Sequence, residues 1–332
     1  MLFRPTTAQA AVIARAKSTV GRSRKLKRGL YDKDQKTLRD FLELRGGVNP
    51  VDGAVDTGQN VEHMPPYLGD KDFRVEQGSK SFHIVSYGCQ MNVSDSEIVR
   101  SVLTGVGYEE TNAENEANIL LLNTCAIREK AESKIWSKLK ELRYLNQKRK
   151  KTARQTVGVL GCMAERLRDD LLEKEQVVDL VVGPDSYRDL PLLLTAIGAN
   201  GTESSQSLPC GGSAAAINVQ LSVDETYGDI KPIRDGHSTV SAFTSIQRGC
   251  NNRCAFCIVP FTRGLERSRD LESIVAEVED LSREGYKEVT LLGQNVNTWK
   301  PTKGKGTRFA ELLEAVALVD PAIRVRFTSP HP

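Results

Sequence analysis

Three apolar segments in the first half of the chain each lead into a cysteine that is followed by a helix-forming segment. The segments are 82–87, 118–123 and 156–160, and the cysteines are Cys89, Cys125 and Cys162. Continuous apolar strands that alternate with helices predict a parallel sheet covered by helices. The carboxyl ends of parallel strands lie along one edge, where ligands bind, so the three cysteines are expected to converge there.

The alternative for these cysteines is three buried core residues, because cysteine is common in protein cores. Core packing gives no reason for a cysteine to recur just after three successive strands at nearly equal intervals. The pattern therefore favours a metal or cluster site built from the three residues.

A second set of cysteines lies close together in the sequence RGCNNRCAFC at 248–257, where Cys250, Cys254 and Cys257 have the spacing C-x3-C-x2-C. Thiolates at this spacing indicate a site for a soft metal. A structural zinc site needs four ligands, and the nearest histidine in sequence, His237, lies well upstream. Three ligands suit a cubane iron–sulfur cluster with one open iron. Zinc and structural thiols are the alternatives.

Composition limits the compartment and the kinds of partner. Seven cysteines in 332 residues are too sparse for a disulfide scaffold and favour a reducing compartment. The sequence contains no run of 18 apolar residues, so no membrane span is predicted. The net charge of +3 hides an asymmetry, since residues 1–31 contain eight basic residues and no acidic one. The rest of the chain is net acidic, so nucleic-acid binding would need a local basic patch.

The predicted organisation is a targeting segment at 1–30, a connector at 31–77, an α/β domain at 78–198, a linker at 199–237 and a second domain at 238–332. The basic, acid-free composition of 1–30 is typical of a mitochondrial presequence, with a disordered basic tail as the alternative. Cys210 lies in the Gly- and Ser-rich linker and is a poor ligand candidate.

Sequence periodicity predicts the elements around the cysteines. In the first domain, Ser94 and Glu97 suggest a capping box that opens a helix through 103; further helices are expected at 129–147, 164–174 and 187–196, and a strand at 177–182. In the second domain, strands are expected at 242–247, 288–292 and 323–328, with helices between them. This βαβαβ order predicts the first part of a (β/α) barrel, which the chain would leave unfinished.

The motifs around both cysteine sets resemble the radical S-adenosylmethionine (SAM) methylthiotransferases of the MiaB type over residues 82–332. The motifs are YGCQMN at 87–92, NTCAIREK at 123–130, GCMA at 161–164, the segment 248–264, LLGQNVN at 291–297 and FTSPHP at 327–332. The resemblance implies a methylthiotransferase N-terminal α/β domain followed by part of a radical SAM barrel. It also implies that the family's TRAM domain is absent.

The resemblance further implies two 4Fe–4S clusters and SAM as cofactors. Cys250, Cys254 and Cys257 match the ligands of the radical cluster, and Cys89, Cys125 and Cys162 match those of an auxiliary cluster. Gly293, Gln294 and Asn295 follow the second barrel strand, where the superfamily binds the methionine end of SAM. No catalytic residue is assigned beyond the cluster ligands.

In the family, one SAM methylates a sulfur at the auxiliary cluster, and a second is cleaved to a radical that activates C2 of the target adenine. The implied substrate is N6-isopentenyladenosine at position 37 of mitochondrial tRNA, in the matrix. The implied partners are the tRNA anticodon loop, a reducing electron donor and a sulfur donor, with no membrane. The alternatives are an inactive iron–sulfur or regulatory binding protein, and a methylthiotransferase for threonylcarbamoyl-adenosine tRNA or ribosomal protein S12.

Basic residues supply candidate RNA contacts. The basic run 148–151, with Arg154, is a candidate phosphate contact, although such a run is more often a solvated helix end. Arg263 and Arg267, just after the second cysteine set, are candidate anchors for cofactor or RNA, with surface salt bridges as the alternative.

Overall fold

The computed structural model describes residues 80–127, 129–148, 154–197, 215–219, 221–222, 227–234, 240–252, 254–301 and 308–331. The predicted targeting segment, the connector, Cys210 and residues 149–151 of the basic run lie outside these ranges. In the part of the chain that is described, no helix has both the length and the apolar character needed to cross a bilayer.

The first half forms a six-stranded parallel sheet in the order β2-β1-β3-β4-β5-β6, which confirms the predicted α/β class. Its strands are β1 (Ser81–Ser86), β2 (Glu109–Glu110), β3 (Ile119–Thr124), β4 (Thr156–Gly161), β5 (Leu180–Val182) and β6 (Ala216–Asn218). Its helices are α1 (Gln90–Gly105), α2 (Glu129–Lys148), α3 (Cys162–Leu167), α4 (Asp169–Lys174) and α5 (Leu190–Ala196), with a 3-10 turn at Tyr187–Asp189.

The central strand β3 explains why this sheet is covered on both faces. Successive strand side chains point to opposite faces, so Ile119 and Leu121 join one apolar core while Leu120 and Leu122 join the other. All four side chains are fully buried. A strand that is apolar on both faces is stable only between two layers of helices, which is what the sequence of β3 predicts.

The predicted start of the first helix is wrong. Helix α1 begins at Gln90, with Cys89 as its N-cap, and not at Ser94. The Asn92 side chain takes the capping role, because its Oδ1 accepts a hydrogen bond from the Cys89 N–H at 3.3 Å. Ser94 and Glu97 are buried inside the helix. The capping pattern at Ser94 and Glu97 therefore lies inside the helix, because the helix begins one turn earlier than the pattern predicts.

The segment 164–174, predicted as one helix, forms two. Helices α3 and α4 are separated at Arg168, a non-glycine residue with φ of 46°. The predicted strand at 177–182 is likewise shorter, since only Leu180–Val182 pairs with its neighbour. These boundaries depend on contacts that periodicity does not report.

Part of the predicted linker belongs to the first sheet. Strand β6 lies inside 199–237 and pairs in parallel with β5, from Leu180 opposite Ala216 to Val182 opposite Asn218. Tyr227 from the same segment is buried in the first core, and its hydroxyl oxygen accepts a hydrogen bond from the Tyr187 N–H at 2.9 Å. The Gly- and Ser-rich composition around β6 concealed a strand of three residues.

The second half contains a three-stranded parallel sheet in the order β11-β10-β7, with the βαβαβ order that the sequence predicts. Its strands are β7 (Ser241–Ser245), β10 (Glu288–Leu292) and β11 (Arg324–Phe327), and its helices are α7 (Leu271–Arg283) and α8 (Phe309–Val319). A 3-10 turn lies at Val296–Thr298. One apolar core, which includes Ile274, Val278 and Leu291, joins the sheet to both helices.

A short hairpin interrupts the predicted strand at 242–247. The chain leaves β7 at Ser245, and Gln247–Arg248 (β8) then pairs antiparallel with Arg267–Ser268 (β9). The short helix α6 (Val259–Thr262) lies between β8 and β9. The hairpin therefore closes the segment that contains the second cysteine set.

Candidate functional site

The first cysteine set lies at the carboxyl ends of three neighbouring strands, β1, β3 and β4. Cys89 caps α1, Cys125 follows β3, and Cys162 begins α3. Cys125 and Cys162 are buried, and Cys89 is half-buried. The Cys89 and Cys125 side chains are hydrogen-bonded, and the Cys162 thiol is close enough to interact electrostatically with Cys89. The structure thus places the three thiols together at this edge of the sheet.

Glycine allows the first loop to approach the second. Gly88 has φ of +130°, and a Cβ there would lie 2.6 Å from the Cys125 Cβ and 2.7 Å from the Asn92 Oδ1. The Asn92 side chain also donates to the Thr124 carbonyl oxygen at 3.0 Å, which fixes α1 against the end of β3. The Gly-Cys sequence before α1 is therefore needed to bring Cys89 to Cys125.

The environment favours one ionised thiol in this set. The Cys125 hydrogen bond lowers the pKa of Cys89 to about 5, and the Arg263 charge acts in the same direction against burial. Burial raises the pKa of Cys162, and the Arg263 charge opposes this change. Since thiolates are the metal-binding form of cysteine, the donor set fits a cluster that binds soft ligands.

The second cysteine set lies in the segment that the β8–β9 hairpin closes. Cys250 is buried, while Cys254 and Cys257 are half-buried. The Asn252 N–H donates to the Cys250 Sγ at 3.4 Å, and the Cys257 N–H donates to the Cys254 carbonyl oxygen at 3.1 Å. These local hydrogen bonds turn the backbone so that the three side chains share one compact loop.

Sequence reasoning missed a histidine beside this loop. The Nε2 of His331 lies 3.5 Å from the Cys254 Sγ, whereas His237, the nearest histidine in sequence, lies outside the described residues. His331 follows β11, so its position after a barrel strand was the available signal. The contact joins the cysteine loop to the carboxyl end of the second sheet.

Among the described residues, no three His, Cys, Asp or Glu side chains are arranged to bind a single metal ion. The three thiolates of a cubane bind three different iron atoms, so they need not point at one centre. The two thiol donor sets are therefore suited to clusters.

The predicted SAM-binding residues lie directly after β10. Asn295 is buried, and neither its Oδ1 nor the Oε1 of Gln294 has a hydrogen-bond partner. The Oε1 of Gln247, in β8 just after the first barrel strand, also lacks a partner, and it lies 3.3 Å from where a Cβ on Gly293 would be. Buried acceptors without donors are rare, so this group suits a ligand that brings N–H or positively charged groups. Sequence analysis missed Gln247.

A buried ion-pair cluster joins the two halves between the cysteine sets. Asp95 of α1 is fully buried and pairs with Arg248 at 2.8 Å and with Arg263 at 2.7 Å. Although burial opposes ionisation, the two guanidinium groups hold the pKa of Asp95 below its usual range. One carboxylate of the first half thus holds two arginines that flank the second cysteine set.

The surface alternative for Arg263 and Arg267 is wrong, because both side chains are buried. Arg267 pairs with Asp185 of the first half at 2.9 Å. Arg263 contacts Asp95 and, through its Nε, donates to the Cys162 Sγ at 3.0 Å. The two arginines join the halves at the cysteine sites, away from solvent.

The described part of the basic run lies far from the cysteines. Helix α2 starts shortly after Cys125 and ends at Lys148, and a helix of 20 residues is about 30 Å long. Arg154 pairs with Asp179 at 2.5 Å. Lys148 therefore lies toward the opposite edge of the sheet, and a phosphate contact there stays a prediction.

The comparisons with known proteins agree with this two-part architecture. The model of the uncharacterized protein family UPF0004 matches residues 81–183, and the radical SAM superfamily model matches residues 244–332. The mitochondrial tRNA methylthiotransferase CDK5RAP1 of Rattus norvegicus is 47% identical over 297 residues, which are 82% of this chain and 48% of the relative.

A bacterial relative gives a similar match. The tRNA-2-methylthio-N(6)-dimethylallyladenosine synthase of Chloroherpeton thalassium is 51% identical over 251 residues, which are 75% of this chain and 51% of the relative. The chain thus spans about half the length of these relatives. Among solved structures, the radical SAM methyltransferase TsrM of Kitasatospora setae matches with a TM-score of 0.47 and 15% identity, covering 74% of this chain and 54% of that one.

Proposed function

We propose, from the premise that this chain belongs to the radical SAM methylthiotransferase family, that it serves in tRNA methylthiolation. The proposed reaction adds a methylthio group at C2 of N6-isopentenyladenosine 37, and the names of the relatives support it. The observation that carries the proposal is the pairing of two three-cysteine sets across one buried ion-pair cluster, the first at the carboxyl ends of parallel strands and the second in the loop between β8 and β9.

The proposed cluster ligands follow the sequence prediction. Cys250, Cys254 and Cys257 would hold one 4Fe–4S cluster, and Cys89, Cys125 and Cys162 would hold the other. When bound, these clusters and SAM supply the radical chemistry and a place to hold sulfur. The buried, unpaired side-chain oxygens of Gln247, Gln294 and Asn295 would accept hydrogen bonds from the amino group of SAM.

The remaining work of the chain is to orient groups and exclude water. The cysteine edge of the first sheet is buried beneath Arg263 from the second half, so water has little access to Cys125 and Cys162. Phe256, between two cysteines of the second set, is 95% exposed and offers an aromatic face on which a base could stack. A single-stranded loop base can be turned out to meet such a face.

The proposed substrate is the anticodon loop of mitochondrial tRNA, with a reducing electron donor and a sulfur donor as partners. The mitochondrial location is supported by the names of the animal relatives and by the basic, acid-free sequence of 1–30. The matrix is the proposed compartment because a presequence of this type leads there. The proposed domain limits are 78–198 together with β6 (Ala216–Asn218) for the first domain, and 238–332 for the second.

The test is anaerobic reconstitution with iron and sulfide of the full chain and of two triple variants. The wild-type chain should bind about eight iron atoms, and each variant about four. One variant replaces Cys89, Cys125 and Cys162 by Ala, and the other replaces Cys250, Cys254 and Cys257. Under a strong reductant, the first variant should still cleave SAM and the second should not, because the family resemblance assigns the cluster that cleaves SAM to the second set.

Two results would contradict the proposal. Near-zero iron or stoichiometric zinc in the wild-type chain would favour a binding or regulatory protein. Equal loss of SAM cleavage in both variants would show that the two sets do not have separate roles. A wild-type chain that binds iron and methylthiolates a threonylcarbamoyl-adenosine tRNA or ribosomal protein S12 would change the substrate alone.

A further inference from the structure

We propose that Arg263 is a positioning residue of the first cysteine set, although it comes from the second half of the chain. Its Nε donates to the Cys162 Sγ at 3.0 Å, and its side chain is only 3% exposed. This inference rests on the proposed function, because it assigns Arg263 to the cluster that Cys89, Cys125 and Cys162 would hold. It adds a contact that the cysteine motifs do not contain.

The backbone of Arg263 is fixed on both sides. Its N–H donates to the Val259 carbonyl oxygen at 2.8 Å, at the end of α6. Its own carbonyl oxygen accepts a hydrogen bond from the Arg267 Nη2 at 2.9 Å, and Arg267 is held in turn by Asp185 of the first half. The side chain therefore starts from a rigid position next to the first sheet.

The guanidinium group of Arg263 is oriented by Asp95. Its Nη2 lies 2.7 Å from Asp95, which serves Arg248 as well. Because one carboxylate is shared by two guanidinium groups, Arg263 retains positive charge that a Cys162 thiolate would balance. Its buried Nη1 has no hydrogen-bond partner. A buried cation with a spare donor suits a neighbouring anionic group such as a thiolate-ligated cluster.

An N–H···S hydrogen bond and a nearby positive charge both stabilise the more negative, reduced form of an iron–sulfur cluster. Arg263 should therefore raise the reduction potential of the first cluster and help retain it. Among the described residues, no hydrogen bond joins the Arg263 side chain to a thiol of the second set, so the potential of a cluster there should not depend on this side chain.

The experiment isolates the first cluster in a full-length chain in which Cys250, Cys254 and Cys257 are replaced by Ala. In this background, Arg263→Gln removes the charge, and Arg263→Lys keeps a charge but moves the donor. The reduction potential is measured by a redox titration followed by electron paramagnetic resonance, and iron is counted for each protein. Arg263→Gln should shift the potential to a more negative value, with a smaller shift for Arg263→Lys.

The matched control is Arg234→Gln. Arg234 is also a buried arginine that joins the halves, because it pairs with Glu97 of α1 and with Glu277 of α7, and it has no hydrogen bond to any cysteine among the described residues. It should leave both the potential and the iron content of the first cluster unchanged. The control separates a contact with the thiol from a general weakening of the interface.

Each outcome decides the proposal. A negative shift, or loss of the first cluster's iron in Arg263→Gln with retention in the control, supports it. An unchanged potential with unchanged iron overturns it, as does an equal effect in Arg234→Gln. If Arg263→Gln does not fold, Arg263→Lys is decisive on the same criteria. A parent chain that binds no iron at the first set overturns the proposed function as well, whereas a normal parent with unaffected variants overturns this inference alone.

Discussion

The two cysteine sets each contain three thiols, but the chain brings the thiols of each set together in a different way. Cys89, Cys125 and Cys162 come from three separate strand ends and are brought together by the register of the sheet. Cys250, Cys254 and Cys257 come from one loop, which is closed by the antiparallel pairing of the two-residue strands β8 and β9. The first site therefore depends on the whole first sheet, while the second depends mainly on local backbone geometry.

The two sites share one local device. In three places a glycine with positive φ comes immediately before a cysteine, at Gly88, Gly161 and Gly249. At each one, an added Cβ would meet a neighbouring loop or strand end. Each glycine lets the chain turn out of its strand close enough to another segment to present the next thiol.

The strongest test of the comparison concerns Asp95, which joins the two sites. Asp95→Asn keeps the shape of the side chain but leaves the buried guanidinium groups of Arg248 and Arg263 without their shared anion. Removing one partner of a buried ion pair costs about 3–5 kcal/mol. We expect a loss of that size in the free energy of unfolding, measured by urea denaturation of the full chain.

The control for Asp95 is Asp280→Asn. Asp280 pairs with Lys231 and Arg283 at the surface, so its loss should leave the unfolding free energy nearly unchanged. A change below about 1 kcal/mol for Asp95→Asn would mean that the two halves are stable independently. The two cysteine sites would then be linked by proximity alone.

Two glycine variants should each damage one site. Gly88→Ala places a Cβ 2.6 Å from the Cys125 Cβ, and Gly249→Ala places one against the Leu265 carbonyl oxygen. Backbone strain and overpacking together should cost about 2–4 kcal/mol in each variant. After reconstitution, Gly88→Ala should lose iron from the first set and Gly249→Ala from the second, as measured in backgrounds that retain only one set.

Two other glycines separate the causes of these losses. Gly285 has φ of +92° but open space around it, so Gly285→Ala measures strain without collision. Gly105 has open space and no positive φ, so Gly105→Ala should be neutral or slightly stabilising. If Gly88→Ala removed iron from both sets equally, the sites would not have the separate structural origins described above.

The smallest effect concerns pH and the buried surroundings of the first site. Glu165 on α3 is buried, its Oε2 has no hydrogen-bond partner, and burial raises its pKa to about 7 despite the Arg168 charge. A carboxyl group whose pKa is raised on folding stabilises the fold fully below its ordinary value of 4.5. That contribution is lost as the pH rises through about 7, by up to about 3 kcal/mol.

Glu165→Gln should therefore flatten the dependence of stability on pH. We expect the variant to match the wild-type chain near pH 4.5 and to exceed it above about pH 8, in urea unfolding at a series of pH values. Glu173→Gln, on the exposed side of α4, is the matched control and should keep the wild-type slope. If the dependence of stability on pH were the same in Glu165→Gln as in the wild-type chain, the pKa of Glu165 would not be raised by burial, and the prediction would be wrong.

The sequence predicted the elements whose signal is local and repeated. The buried strand β3, helix α2 and the βαβαβ order of the second half follow from periodicity, and the parallel class follows from apolar strands that alternate with helices. It did not predict β6, because three residues within a Gly- and Ser-rich segment carry no periodic signal. It placed the start of α1 at Ser94, because that residue begins a capping pattern. The pattern does not reveal that the helix has already begun one turn earlier, where the Asn92 side chain accepts a hydrogen bond from the Cys89 N–H.

The candidate site divides in the same way. The six cysteines and Gly293 to Asn295 could be found from spacing and resemblance, because their order along the chain is itself the signal. Gln247 and Asp95 could not, since the groups they face are distant in sequence, and His331 was missed although it follows a barrel strand. Arg263 and Arg267 were found as residues, but of their two interpretations the structure contradicts the surface salt bridges, because both side chains are buried.

The sequence by itself determined which thiols are available and that strand ends would present them. The spacing of Cys250, Cys254 and Cys257 defines the second set. The apolar strands predict the sheet whose ends present Cys89, Cys125 and Cys162. Only the tertiary structure decided that the Arg263 side chain, 101 residues from Cys162, lies against its thiol with Asp95 behind it. The physical reason is that a buried charge needs its partners within hydrogen-bond distance, and only the packing of the two halves brings those partners together.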